Sequence, residues 1–108
     1  MAEIETNEQF IKNVAHDLRS GHGCKLSDEL ANIPFDEQLR ILKKAEASAN
    51  TEMNSRVLTV DARASYKEVT MSAGRTDSKV LGLFFQPKGY EATFNLEDGK
   101  ISRKCQGD

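Results

Sequence analysis

The chain has 108 residues, of which 38% are hydrophobic and 30% charged, with a net charge of −2, two cysteines and no tryptophan. This length implies one domain around one core, and the composition excludes collagen-like, Pro-rich and strongly charged unfolded chains. Residues 1–54 hold ten acids and six bases and residues 55–108 hold seven and nine, a mild asymmetry that argues against a dedicated nucleic-acid binder.

No apolar run reaches the roughly 18 residues of a membrane span, so no membrane partner is expected. Met1-Ala2-Glu3-Ile4-Glu5 lacks the basic and apolar regions of a signal peptide, and the expected location is cytoplasmic. In that reducing setting Cys24 and Cys105 are read as free thiols, a disulfide between them being the lesser alternative.

The first helix is read over 7–20. Thr6-Asn7-Glu8-Gln9 forms a capping box, Phe10, Ile11, Val14, Ala15 and Leu18 form one apolar stripe, and Gly21 supplies a left-handed stop. Ser27-Asp28-Glu29 then opens a short helical turn with Leu26, Leu30 and Ile33. Pro34 ends it and begins the next helix, where its missing donor costs nothing. That helix carries Phe35, Leu39, Leu42, Ala45 and Ala49 as its stripe, with Ile41 at the margin, and is read to end near Asn50.

Near residue 55 the apolar period changes from helical to two. Leu58, Val60, Ala62, Ala64 and Tyr66 share one face, and Val69, Met71 and Ala73 continue with opposite parity. Without Gly, Pro or Asn between Asp61 and Tyr66, the segment reads as one bent strand with a bulge near Glu68, the alternative being two strands. Ser72–Ser78 is read as a polar loop and Val80–Phe85, apolar on both faces, as the central strand. Tyr90, Ala92, Phe94 and Leu96 alternate cleanly, and Asp98-Gly99 suits a two-residue type I′ turn into a charged edge with Ile101, Arg103 and Cys105. The fold class expected is α+β: two to three N-terminal helices, about 6–50, on one face of a four- to five-stranded curved antiparallel meander, about 56–105. The helix stripes should meet Leu58, Val60, Leu83, Phe85, Phe94 and Leu96.

Few residues suggest chemistry. Arg19-Ser20-Gly21-His22-Gly23-Cys24, with His16 a turn earlier, could set imidazole beside a thiol, but the spacing fits no known nucleophile pattern. A helix stop and a loop explain both glycines. His16, His22, Cys24 and Cys105 lack metal-ligand spacing, and no metal or other cofactor is expected. Asp61, Glu68 and Glu91 read as solvent-facing acids rather than a catalytic pair, and no phosphate-cradling glycine loop is present. Arg63, Lys67, Arg75 and Lys79 offer a basic surface without ordered aromatic partners.

Val80 and Phe84 lack an assigned cover, and with Arg103 and Lys104 on the charged edge they form the expected interface. The expected function is therefore a small protein-binding module of inhibitor, adaptor or regulatory type, as short phage and mobile-element proteins often are. It would act through a sheet face or edge on another protein or on a second copy. The order of elements also resembles cystatin-like and other helix-grip folds, which implies a small-ligand pocket or small enzyme as the alternative. Weak nucleic-acid binding through the basic half comes third.

Overall fold

The structure, a computed structural model, describes residues 8–76 and 89–107. Three helices pack on one face of a four-stranded antiparallel sheet. The helices are α1 (Glu8–Arg19), α2 (Gly23–Glu29) and α3 (Phe35–Met53), and the strands are β1 (Leu58–Ala64), β2 (Glu68–Arg75), β3 (Tyr90–Asn95) and β4 (Ile101–Cys105). The strand order β1-β2-β3-β4 is a simple open meander. This is the α+β architecture expected from the change of period near residue 55.

In α1 the spacing i, i+3, i+4, i+7 buries Ile11, Val14, Ala15 and Leu18 against the core. Thr6 lies outside the described residues, and the Gln9 amide donates forward to Asn13 Oδ1 at 3.0 Å. Gly21 ends the turn at φ +77, where a side chain would be strained.

The next helix starts earlier than its sequence suggests, at Gly23 rather than Ser27. Its first amides have no side-chain cap. Instead Gly23 N–H donates to Gln106 O at 3.0 Å and Cys24 N–H to Gly107 O at 3.4 Å, so the residues after β4 cap α2. A Cβ at Gly23 would run into the carbonyl oxygens of Gly89 and Gln106. Gly23 is thus required by a close backbone approach, not by a loop.

Pro34 precedes α3 as expected, but the helix continues past Asn50 to Met53. Ala45 and Ala49 keep its buried stripe small enough for β1 to approach, and Asn54 takes the left-handed stop at φ 52. The buried face is Gln38, Ile41, Leu42, Ala45 and Ala49. Phe35 and Leu39, expected in the core, are only half-buried and pack at its margin.

Residues 56–72 are two strands, and no bulge is needed. A tight turn through Tyr66 and Lys67 reverses the chain, with Ala64 paired to Val69. Ser65 replaces the turn residues usual at such a position: its Oγ accepts from Lys67 N–H and Glu68 N–H, both at 3.2 Å, while Ser65 N–H donates to Glu68 O at 2.8 Å. The parity change is therefore the reversal itself. Tyr66 sits at its tip, 87% exposed, not on the core face.

The β3–β4 connection also differs from the two-residue type I′ turn. Gly99 alone has positive φ, at 73, and Asn95 N–H pairs with Lys100 O, leaving a four-residue loop. Asn95 Oδ1 organises it by accepting from Glu97 N–H and Asp98 N–H at 2.8 and 3.2 Å.

The core combines both layers: Val14, Leu18, Leu26, Leu30, Ile41 and Leu42 from the helices meet Leu58, Val60, Met71, Ala73, Tyr90 and Ala92 from the sheet. β2 pairs directly with β3, Met71 opposite Ala92, so these two strands hold the centre. The expected central strand Val80–Phe85, including Leu83, lies outside the described residues. Of the other expected core members, Phe94 is partly buried and Leu96 exposed.

Cys24 and Cys105 are joined as a disulfide, with Cα atoms 4.9 Å apart across 81 residues of sequence. The free-thiol expectation is corrected by the same docking that caps α2: the end of β4 lies against the start of α2. This also removes Cys24 as a nucleophile or as a thiolate ligand.

Candidate functional site

The two edges of the sheet are treated differently. The first half of β1 is closed by polar side chains of α3. Asn50 Oδ1 accepts from Val57 and Leu58 N–H at 2.8 and 2.9 Å, and its Nδ2 donates to Leu58 O at 3.1 Å. Further along, Glu46 Oε2 accepts from Val60 N–H at 3.1 Å and Lys43 Nζ donates to Val60 O at 3.0 Å. A partner strand finds these backbone groups already engaged. β4, by contrast, is exposed along all five residues.

Beside β4 the helix-side face of the sheet is incompletely covered. Val69, Phe94 and Ile101 form one cross-strand row, and α3 reaches it only with its first turns. Phe35 stacks on Phe94 with ring centroids 5.5 Å apart. Pro34, Leu39 and Leu96 complete an open groove of about 580 Å³ that also includes Asp36. Leu96 and Ile101 are 49% and 40% exposed, so the groove presents large apolar side chains to solvent directly at the free edge.

A buried polar pair lies on the same helix-side face, at the start of β3. Tyr90 Oη donates to Gln38 Oε1 at 2.5 Å, and Gln38 Nε2 donates to Leu30 O and Ile33 O at 3.1 and 2.8 Å. Burial raises the Tyr90 hydroxyl above its ordinary value, and the nearby Arg103 guanidinium pulls it down.

Two charged clusters were not apparent in the sequence. Asp17, 2% exposed, has an Oδ2 with no hydrogen-bond partner, while Lys25 Nζ stands 3.9 Å from its Oδ1. Glu29 joins it from the end of α2, and its carboxyl is held up to about 7. Partial burial is the main cause, the hydrogen bond and charge of Asp17 add to it, and Lys25 opposes it. The second cluster is a pocket of about 300 Å³ lined by Arg19, Arg56, Val57 and Arg75.

The residues singled out from the sequence are dispersed. Arg103 lies on the helix side of β4, and its Nη1 donates to Ser27 O at 2.7 Å. Lys104 occupies the opposite face across from Glu91. Arg63 faces the same outer side opposite Thr70, and Lys67 sits at the β1–β2 turn with its ammonium 5.7 Å from the Tyr66 ring. Arg75 is at the far end of β2 beside Leu58. Lys79, Val80 and Phe84 lie outside the described residues. Asp61 and Glu91 flank Ser72 on the outer face, and Glu68 is exposed at the start of β2. His16 Nε2 and Ser20 Oγ lie 3.5 Å apart. Among the described residues no three His, Cys, Asp or Glu side chains gather as a metal site, and no helix is long and apolar enough to cross a membrane.

Sequence reasoning missed the groove because Phe35 and Leu39 share the periodicity of core residues. The available signal was the pair Leu96 and Ile101, two large apolar residues bracketing a turn. Compared with protein families, curated proteins and solved structures, the chain matches none.

Proposed function

We propose that this protein is a small binding module of inhibitor, adaptor or regulatory type that takes an extended segment of another protein along β4, seating an apolar side chain in the adjoining groove. The continuity of the groove with the exposed edge strand β4, through Ile101, carries the reading. Strand addition supplies affinity from main-chain hydrogen bonds and specificity from side-chain pockets, and this site offers both parts side by side. Lys100, Arg103 and Lys104 make the edge basic, so the segment it prefers is acidic as well as apolar.

Panning a random peptide library against the protein tests this. Enrichment of peptides that alternate apolar and acidic residues is expected; failure to enrich any such pattern contradicts it. Sedimentation over a concentration series separates the version in which a second copy is the partner.

A small apolar ligand is the second reading, favoured by the groove volume of about 580 Å³, which falls within the usual range for ligand sites. The rims formed by Leu96 and Ile101 leave such a ligand open to water, which favours the protein segment. A thermal-shift screen with apolar small molecules checks it, since a ligand that prefers the folded state raises Tm. As for location, the cytoplasmic assignment has against it the Cys24–Cys105 disulfide, because such bonds persist mainly in oxidising compartments.

A further inference from the structure

The pocket formed by Arg19, Arg56 and Arg75 gathers three guanidinium groups from three separate elements around a volume of about 300 Å³. Arg19 is the last residue of α1, and its Nη2 donates to Met53 Sδ at 3.5 Å. Thioether sulfur is a weak acceptor, so this contact positions the guanidinium without neutralising it. Arg56 lies in the connection between α3 and β1, fixed next to Val57, whose amide is held by Asn50. Arg75 closes β2 opposite Leu58, and Thr76 N–H donates to Val57 O at 3.1 Å, so the segments carrying Arg56 and Arg75 are tied together.

Arg75 has an interaction partner of its own, and the argument rests on Arg19 and Arg56. Among the described residues neither of these two forms an ion pair, and no described residue lining the pocket carries a carboxylate. The C-terminal ends of α1 and α3 offset part of the charge through their dipoles but supply no anion. Like charges held in one concavity raise the local potential and concentrate counter-ions there.

We propose that Arg19 and Arg56, in the pocket that Arg75 also lines, bind a small, multiply charged oxyanion of the phosphate class. The planar guanidinium fork matches phosphoryl oxygens in pairs, and the forks of Arg19 and Arg56 together suit a group with more than one charge. A pocket walled by three elements, unlike a basic stripe along one face, suits a compact anion rather than a polymer backbone. This site is separate from the groove and does not depend on it.

Isothermal titration at constant ionic strength, with pyrophosphate and inorganic phosphate as probes, tests the proposal. Saturable binding at one site is expected, tighter for pyrophosphate. Arg19→Gln and Arg56→Gln should each weaken it by about tenfold or more, the effect of removing one charged hydrogen-bond donor. Arg63→Gln, on the outer face of the sheet, should leave it unchanged. Arg19, Arg56 and Arg63 are exposed, so the variants should fold, and an unchanged Tm without ligand verifies this. Absence of saturable binding, equal affinity in the Arg19→Gln/Arg56→Gln double variant, or tighter binding of a single-stranded oligonucleotide than of pyrophosphate would each overturn it.

Discussion

Tyr90 and Gln38, separated by 52 residues in sequence, meet in the core as a hydroxyl donating to an amide oxygen at 2.5 Å. Through Gln38 the central sheet is tied to the carbonyls of Leu30 and Ile33, which close the connection between α2 and α3. Tyr90→Phe leaves the buried Gln38 oxygen without a donor, and the expected loss is about 1–3 kcal/mol in urea unfolding. A stability equal to wild type would show that the pair does not couple the layers. Because burial raises the hydroxyl in the folded state, its contribution is present below the unfolded value near 10 and is lost as pH rises beyond it.

Glu29 gives a second pH dependence. Its carboxyl titrates near 7 when folded and near 4.5 otherwise, so its protonated form stabilises the fold below pH 4.5 and that contribution fades as pH rises to about 7. Tm measured across this window should fall more steeply for wild type than for Glu29→Gln, which keeps a neutral partner for Asp17. Parallel curves would mean the two carboxyls do not share a proton.

The disulfide between Cys24 and Cys105 closes a loop spanning 81 residues. By the chain-entropy relation, such a closure stabilises by about 4.5 kcal/mol. Reduction, or the double replacement Cys24→Ser/Cys105→Ser, should lower the urea midpoint accordingly, and the unreduced protein should show no reactive thiol. Two titratable thiols in the unreduced protein would contradict the pairing.

Gly23→Ala tests the contact between α2 and the residues after β4. The added methyl meets backbone oxygens of Gly89 and Gln106, neither of which can rotate away. A loss of about 1–3 kcal/mol is expected, as for overpacking elsewhere. At Gly21, where nothing lies within 4 Å, alanine meets only the strain of φ +77, so Gly23→Ala should be the more damaging change.

These relationships mark the boundary of what the sequence reveals. Local periodicity revealed α1, the start of α3 and the alternating strand Tyr90–Asn95, because each depends on neighbours within a turn or two. The start of α2 was hidden because Gln106 and Gly107 supply its cap. The β1–β2 turn was hidden because Ser65 Oγ substitutes for the usual glycine or asparagine. The carboxyl pair and the arginine pocket join elements far apart in the chain, and no spacing rule anticipates them. The disulfide is one of two readings of Cys24 and Cys105, and only the docking of β4 on α2 decides between them. The groove escaped notice for a different reason. Phe35 and Leu39 obey the core pattern, and only the reach of α3 over the sheet decides that they wall an opening.

The groove beside β4 is the central claim, and comparing two substitutions tests it most directly. Ile101, at the start of β4, and Tyr66, at the tip of the β1–β2 turn, are both large exposed residues, but of the two only Ile101 lines the groove. For a peptide selected on the wild-type protein, Ile101→Asp should weaken binding by about tenfold or more, the effect of losing one buried anchor. Tyr66→Asp should leave affinity unchanged, and both variants should retain the wild-type Tm. Equal affinity for Ile101→Asp and wild type would contradict the claim.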